Sequence, residues 1–128
     1  MELLFVYGTL TDQNHNEVAS FLHKNGTVAG EGSFSGRLYN VGGYPGAVYH
    51  PETTETVNGI IVRLNEPETV FEKLDEYEGV GGQFPAPNEY IRVQIPVQNH
   101  NGETHLCWVY LYNWPTENLQ HIQSGRYD

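Results

Sequence analysis

Two short stretches of this chain carry side chains whose type and setting suit chemistry. The first ends in Glu78. Val70, Leu74 and Glu78 recur at i, i+4 and i+8, which is one stripe of a helix at roughly 100° per residue. Glu76 falls on nearly the opposite side and Asp75 on the flank, so Glu78 is the acid in line with the apolar face. A carboxylate there is costly unless it is paired, capped or used. Its use would be general acid–base catalysis; the alternative is a helix-terminal acid that escapes into water past the last turn. The second stretch is Tyr7-Gly8-Thr9-Leu10, which follows the apolar run Leu3 to Tyr7. A turn straight after a buried strand aims several backbone N–H groups at one point, a cradle for a carboxylate or an oxyanion. Gly8 lets a ligand approach the main chain closely. An ordinary strand-ending turn would read the same way.

Other reactive residue types do not assemble into a motif. The six histidines, at 15, 23, 50, 100, 105 and 121, show no metal-ligand spacing and read as surface residues. Cys107 sits inside a strand pattern and reads as a buried, inert thiol. There is no Gly-x-Ser-x-Gly elbow, phosphate loop or dinucleotide fingerprint.

The elements that must position these groups are mostly strands. Leu3 to Tyr7 predicts a first, buried strand. Helical spacing of Val18, Phe21 and Leu22 predicts a helix from about His15 to Lys24, capped by Asn14. Val28 to Val41 reads as a long strand, with Gly30, Gly32 and Gly36 allowing bends or bulges. A Gly-rich turn at 42–46 leads into a short strand through Tyr49, and Val57 to Leu64 forms the next. Pro67 suits the first turn of a second helix, and Gly79 its end. The last strands, Glu89 to Val97 and His105 to Tyr112, flank the hairpin signal Asn101-Gly102. Ile122 to Asp128 reads as a polar tail against the surface. Six or so strands broken by glycines can curl into a closed barrel, one option among several α+β sheets.

The 128 residues suffice for one domain with a core, spanning 1–128. The net charge of −10, from 16 acids against 6 Lys plus Arg, opposes nucleic acid and anionic membrane surfaces as partners. A single cysteine leaves no intramolecular disulfide. The apolar N-terminus is short and lacks a basic leader, and no run approaches the roughly 18 residues of a membrane span. A soluble, cytoplasmic protein is expected.

The two candidate stretches occur together in a known family. The chain resembles the gamma-glutamyl cyclotransferase-like proteins, close to the gamma-glutamylamine cyclotransferase type. The likeness runs through Phe5-Val6-Tyr7-Gly8-Thr9-Leu10, Gly36-Arg37-Leu38-Tyr39, Gly43-Tyr44-Pro45, Val57-Asn58-Gly59, Leu74-Asp75-Glu76-Tyr77-Glu78-Gly79, Tyr90-Ile91-Arg92 and Val109-Tyr110. The resemblance implies an α+β fold: a small, closed or nearly closed mixed barrel of about six strands with two helices packed outside. It implies that Tyr7, Gly8, Thr9 and Leu10 hold the free amino-acid end of a gamma-glutamyl group. The catalytic glutamate falls on Glu78, and Tyr110 lines the pocket. The implied reaction is intramolecular: the substrate's α-amino group attacks its own γ-carbonyl, giving 5-oxoproline and an amine or amino acid. The partner is then a small-molecule gamma-glutamyl substrate, with no metal and no cofactor; the oligomeric state is open. Such chemistry favours a Glu78 pKa raised by desolvation from Phe71, Leu74 and Tyr77. The loop Gly79 to Pro87 lies beside the acid and is expected to shape the leaving-group pocket. Two alternatives stand beside this reading: a non-catalytic module that binds a small ligand or a protein, and a related enzyme that removes gamma-glutamyl groups from a larger metabolite.

Overall fold

Residues 2–127 are described by the computed structural model. Strand β1 (Leu3–Val6) runs into a 3-10 turn (Thr9–Thr11), then α1 (Glu17–Lys24), β2 (Gly26–Asn40), β3 (Pro45–Tyr49) and β4 (Thr56–Leu64). Helix α2 (Pro67–Glu78) follows, then β5 (Tyr90–Asn99), β6 (Thr104–Tyr112) and β7 (Gln120–Ile122).

The strands close in the order β2-β4-β1-β6-β5 and back to β2. The closing contact is short, Gly32 opposite Asn99 and Ser33 opposite Gln98. β1 is parallel to β6 and antiparallel to β4, which makes the barrel mixed. Five strands form the ring instead of about six, because β2 leaves it halfway. Its first part pairs with β4, with a register shift between Val28 and Gly30 where a bulge was expected. Its last part, Gly36 to Asn40, pairs with β3, and Leu38 to Asn40 also pair with β7, outside the ring.

β1 explains its own unbroken apolar run. Leu4 and Val6 pack with Ala19, Leu22, Val70 and Leu74 from the two helices. Phe5 and Tyr7 point the other way, into the barrel interior with Phe34, Val57, Ile61, Val97 and Val109. A strand buried on both faces needs no polar alternation.

Two boundary expectations are corrected. α1 starts at Glu17 and its cap is Asn16, whose side chain accepts from the Ala19 N–H at 2.8 Å. Asn14 instead donates its own N–H to Asp12 in the preceding turn. Gln120–Ile122, just ahead of the polar tail and sharing only Ile122 with it, forms β7, paired with β2 through its backbone. Among the described residues, no helix is long and apolar enough to cross a membrane.

Candidate active site

Parallel pairing puts the C-terminal ends of β1 and β6 at the same end of the barrel. β5 begins there too, with Tyr90 opposite Tyr112. A cavity of about 360 Å³ opens at this end. All four residues Tyr7 to Leu10 line it, together with Glu78 and Tyr110. The residues singled out from sequence are thus brought into one site. Phe5, Val6, Tyr44, Pro45, Tyr77, Glu89 and Tyr90 complete the wall.

The turn after β1 is rigidly built. The Gly8 carbonyl accepts from both the Thr11 N–H at 3.1 Å and the Thr11 hydroxyl at 2.6 Å. The N–H groups of Gly8, Thr9 and Leu10, at the open start of the 3-10 turn, have no protein partner among the described residues. Gly8 has φ 143°, and a Cβ there would come within 2.5 Å of Pro45 Cγ, so only glycine lets β3 close over the turn. His23 Nε2 lies 3.0 Å from the Leu10 carbonyl and ties the turn to α1.

Glu78 is the last residue of α2. Beyond it the helix closes with the Val80 N–H on the Asp75 carbonyl at 2.8 Å and the Gly79 N–H on that of Glu76 at 3.3 Å, the two bonds of a Schellman motif. One turn back, Asp75 takes a two-pronged ion pair from Arg92 at 2.9 and 3.2 Å and a bond from the Tyr110 hydroxyl at 2.7 Å. The Arg92 guanidinium lies over the rings of Phe71 and Trp108, 4.1 and 4.7 Å from their centroids. The end of α2 is therefore tied to β5 and β6 beside the acid. From sequence, Asp75 is a flank residue of the helix and Arg92 a piece of a motif, with nothing to join them. Their pairing joins residues on separate elements, and no spacing rule reports it.

Burial pushes the Glu78 carboxyl up from 4.5 to about 7, and the nearby Glu89 charge adds to the rise. The direction is the one expected from sequence, but the surroundings differ in part. Tyr77 does line the cavity, whereas Phe71 turns to Trp108 and Arg92; Phe5, Val6, Leu10 and Pro45 form the apolar wall. Glu89 was missed because it precedes β5 with no periodicity to mark it. Its carboxylate accepts from the Tyr44 hydroxyl.

Three tyrosines at the site, Tyr7, Tyr90 and Tyr110, serve as structural donors. The Tyr7 hydroxyl donates to the Tyr110 carbonyl and accepts from the Ala47 N–H, stitching β1 to β6 and β3. The Tyr90 hydroxyl donates to the Pro45 carbonyl at 2.6 Å. Burial, first of all, raises the pKa of Tyr7, Tyr90 and Tyr110, so all three stay protonated near neutral pH. What Tyr7 and Tyr110 offer the cavity is ring and backbone, with their hydroxyls already committed.

The loop from Gly79 to Pro87 contributes no residue to the cavity wall among the described residues, contrary to expectation. Asn88 pins it from within, bonding the Gly81 N–H and the Gly81 and Pro85 carbonyls, while Trp114 holds Pro87. Cys107 is fully buried in the barrel interior, away from the cavity, with its thiol pushed up to about 11 by burial. Among the described residues no group of three His, Cys, Asp or Glu comes together as metal ligands.

The mixed barrel thus gathers two carboxyls, Glu78 and Glu89, and the turn Tyr7 to Leu10 around one cavity at its mouth, the layout of a small-molecule enzyme. The chain belongs to the family described as gamma-glutamyl cyclotransferase, AIG2-like, whose model matches residues 4–128, and it is a gamma-glutamyl cyclotransferase-like enzyme. It is 32% identical over 136 aligned residues to the gamma-L-glutamyl-butirosin B gamma-glutamyl cyclotransferase of Niallia circulans, covering 97% of this chain and 82% of that protein. It is 31% identical over 125 residues to the gamma-glutamylcyclotransferase family protein YtfP of Escherichia coli K12, covering 95% and 92%. An aig2-like protein from Mus musculus has the same fold with a TM-score of 0.73 at 28% identity, covering 100% of this chain and 88% of that one.

Proposed function

We propose that this enzyme cyclises the gamma-glutamyl group of a small amide and releases 5-oxoproline and a free amine, with Glu78 serving first as base and then as acid. The observation that carries the reading is one cavity holding both a carboxyl pushed up to about 7 and the free N–H groups of residues 8–10. The turn Tyr7 to Leu10 binds the α-carboxylate through its backbone, and the ring of Tyr110 is part of the wall beside it. The α-ammonium then lies against Glu78.

The proton transfers follow. Glu78 takes a proton from the ammonium, and the freed amine attacks the γ-carbonyl of the same molecule. The tetrahedral intermediate collapses as Glu78 returns that proton to the departing nitrogen, and the second proton on the ring nitrogen then passes through the same carboxylate to the released amine, which leaves as an ammonium. Because nucleophile and electrophile belong to one molecule, holding it folded supplies much of the acceleration. The raised pKa matters for the first step. An ordinary glutamate near 4.3 lies about 4 units below an α-amino group near 8, a gap of roughly 5 kcal/mol. At about 7 the gap shrinks to roughly 1 unit, or about 1.4 kcal/mol.

The test is 5-oxoproline release from gamma-glutamyl amides by wild type and by Glu78→Gln. The substitution keeps size and removes the base, and is expected to lower kcat on the order of 10²–10⁴ while substrate still binds. Near-wild-type turnover by the variant would overturn the assignment. Binding without turnover by wild type would make the cavity a ligand-binding site only.

A further inference from the structure

Only two of the residues lining the cavity are charged, Glu78 and Glu89, and both are acids. No Lys, Arg or His lines it among the described residues, and Arg92, close behind, is committed to Asp75. Rings of Tyr44, Tyr77 and Tyr90 line the same mouth, and an aromatic face attracts a cation. On the cyclotransferase reading, the N–H groups of residues 8–10 take the α-carboxylate and Glu78 takes the α-ammonium. One charged group, Glu89, is then left for the leaving-group end. It is half-buried, and one of its oxygens accepts from Tyr44. No other donor reaches that carboxylate among the described residues, although a carboxylate has about four acceptor sites.

We propose that Glu89 is a specificity-determining residue: it selects gamma-glutamyl amides whose leaving amine carries a second, positively charged ammonium, with Tyr44 holding the carboxylate in place. The inference rests on the cyclotransferase reading of the same cavity. An anionic leaving group, such as an α-amino acid with its free carboxylate, would meet the like charge of Glu89 at the cavity mouth. A neutral alkyl amine would leave Glu89 without a counter-charge. An ammonium gains the ion pair and the ring faces together.

Three gamma-glutamyl amides of matched length test this: the mono-amide of 1,5-diaminopentane (cationic), the hexylamide (neutral) and the amide of 6-aminohexanoate (anionic). In wild type at low ionic strength, kcat/KM for the cationic amide is expected to exceed that for the neutral one by about tenfold or more, with the anionic one lowest. Added salt should compress this order. In Glu89→Gln the cationic-to-neutral ratio should fall towards one. The ratio is taken within one enzyme, so any change in Glu78 caused by the substitution cancels. Equal use of the cationic and neutral amides by wild type, or a ratio unchanged in Glu89→Gln, overturns the proposal; the latter result would mean that Glu89 acts on the common glutamyl end. Should Glu89→Gln fail to fold, the wild-type order and its salt dependence decide. Calorimetric binding of the same amides to Glu78→Gln keeps the two readings apart. A tenfold preference for the cation without 5-oxoproline from wild type would uphold the selectivity and sink the reaction. Turnover with no charge preference would do the reverse.

Discussion

A carboxyl group held at about 7 in the folded protein ties stability to pH. Below its ordinary value near 4.5, Glu78 is neutral in both folded and unfolded chains, and its burial costs no charge. Between there and about 7 the unfolded chain ionises while the folded one keeps its proton. The contribution is therefore fully present at low pH and is lost as pH rises through about 7, by up to roughly 3 kcal/mol. Urea unfolding of wild type and Glu78→Gln at pH 5, 6.5 and 8 checks this. The variant is expected to show the flatter profile and to gain on wild type as the pH rises; identical slopes would mean that Glu78 is not desolvated in solution. On the proposed mechanism catalysis has the opposite dependence, because Glu78 must be ionised to act as base, and kcat/KM is expected to show a rising limb near pH 7.

At the scale of elements, α2 is aimed by its last turn and a half. Asp75, Arg92 and Tyr110 tie it to β5 and β6, and the Arg92 guanidinium is packed over the rings of Phe71 and Trp108. The ion pair thus anchors the helix end that carries Glu78, three residues along from Asp75, and a positioning role for Asp75 and Arg92 is expected. Arg92→Met keeps a long apolar stem against the two rings and removes the charge. It is expected to cost about 1–3 kcal/mol, because both partners are only part-buried. It should also lower kcat several-fold more than it changes KM, with partial recovery in Arg92→Lys. A stability loss with kcat untouched would make the ion pair structural only.

At the scale of the molecule, the site depends on how closely the ring closes. Gly59 on β4 sits where β1 ends. A Cβ there would fall 2.1 Å from the Val6 carbonyl oxygen and 2.9 Å from Phe5 Cζ. Neither the strand backbone nor a fully buried ring can give way cheaply. Gly59→Ala should therefore force β1 off β4 and displace the Tyr7 to Leu10 turn with it, at a cost of about 3 kcal/mol or more. Thermal unfolding measures the loss, and a melting temperature within a degree or two of wild type would contradict the close approach. The net charge of −10 acts at this scale as well, favouring solubility without specifying a partner.

How much of this was legible follows from the range of each interaction. The sequence by itself determined what local rules govern. The buried run of β1, the bounds of α2 between Pro67 and Gly79, the hairpin at Asn101-Gly102 and the inward stripe ending at Glu78 all follow from spacing or turn chemistry within a dozen residues. The motifs around Tyr7 to Leu10 and Glu78 also carried the family likeness. Even locally, Asn14 and Asn16 were confused, since a cap depends on which side chain reaches the Ala19 N–H. Only the tertiary structure decided the rest. β7 is three largely polar residues that become a strand because β2 leaves the ring and offers it a free edge. The ring shuts through two residue pairs of β2 and β5, far apart in the chain. The same closure brings Tyr44 to Glu89, Arg92 to Asp75, and Glu89 into a cavity with Glu78. Periodicity reports which way a side chain points from its own element, but not what stands opposite it. Here the opposite group was a second carboxylate, and only the closed barrel put it there.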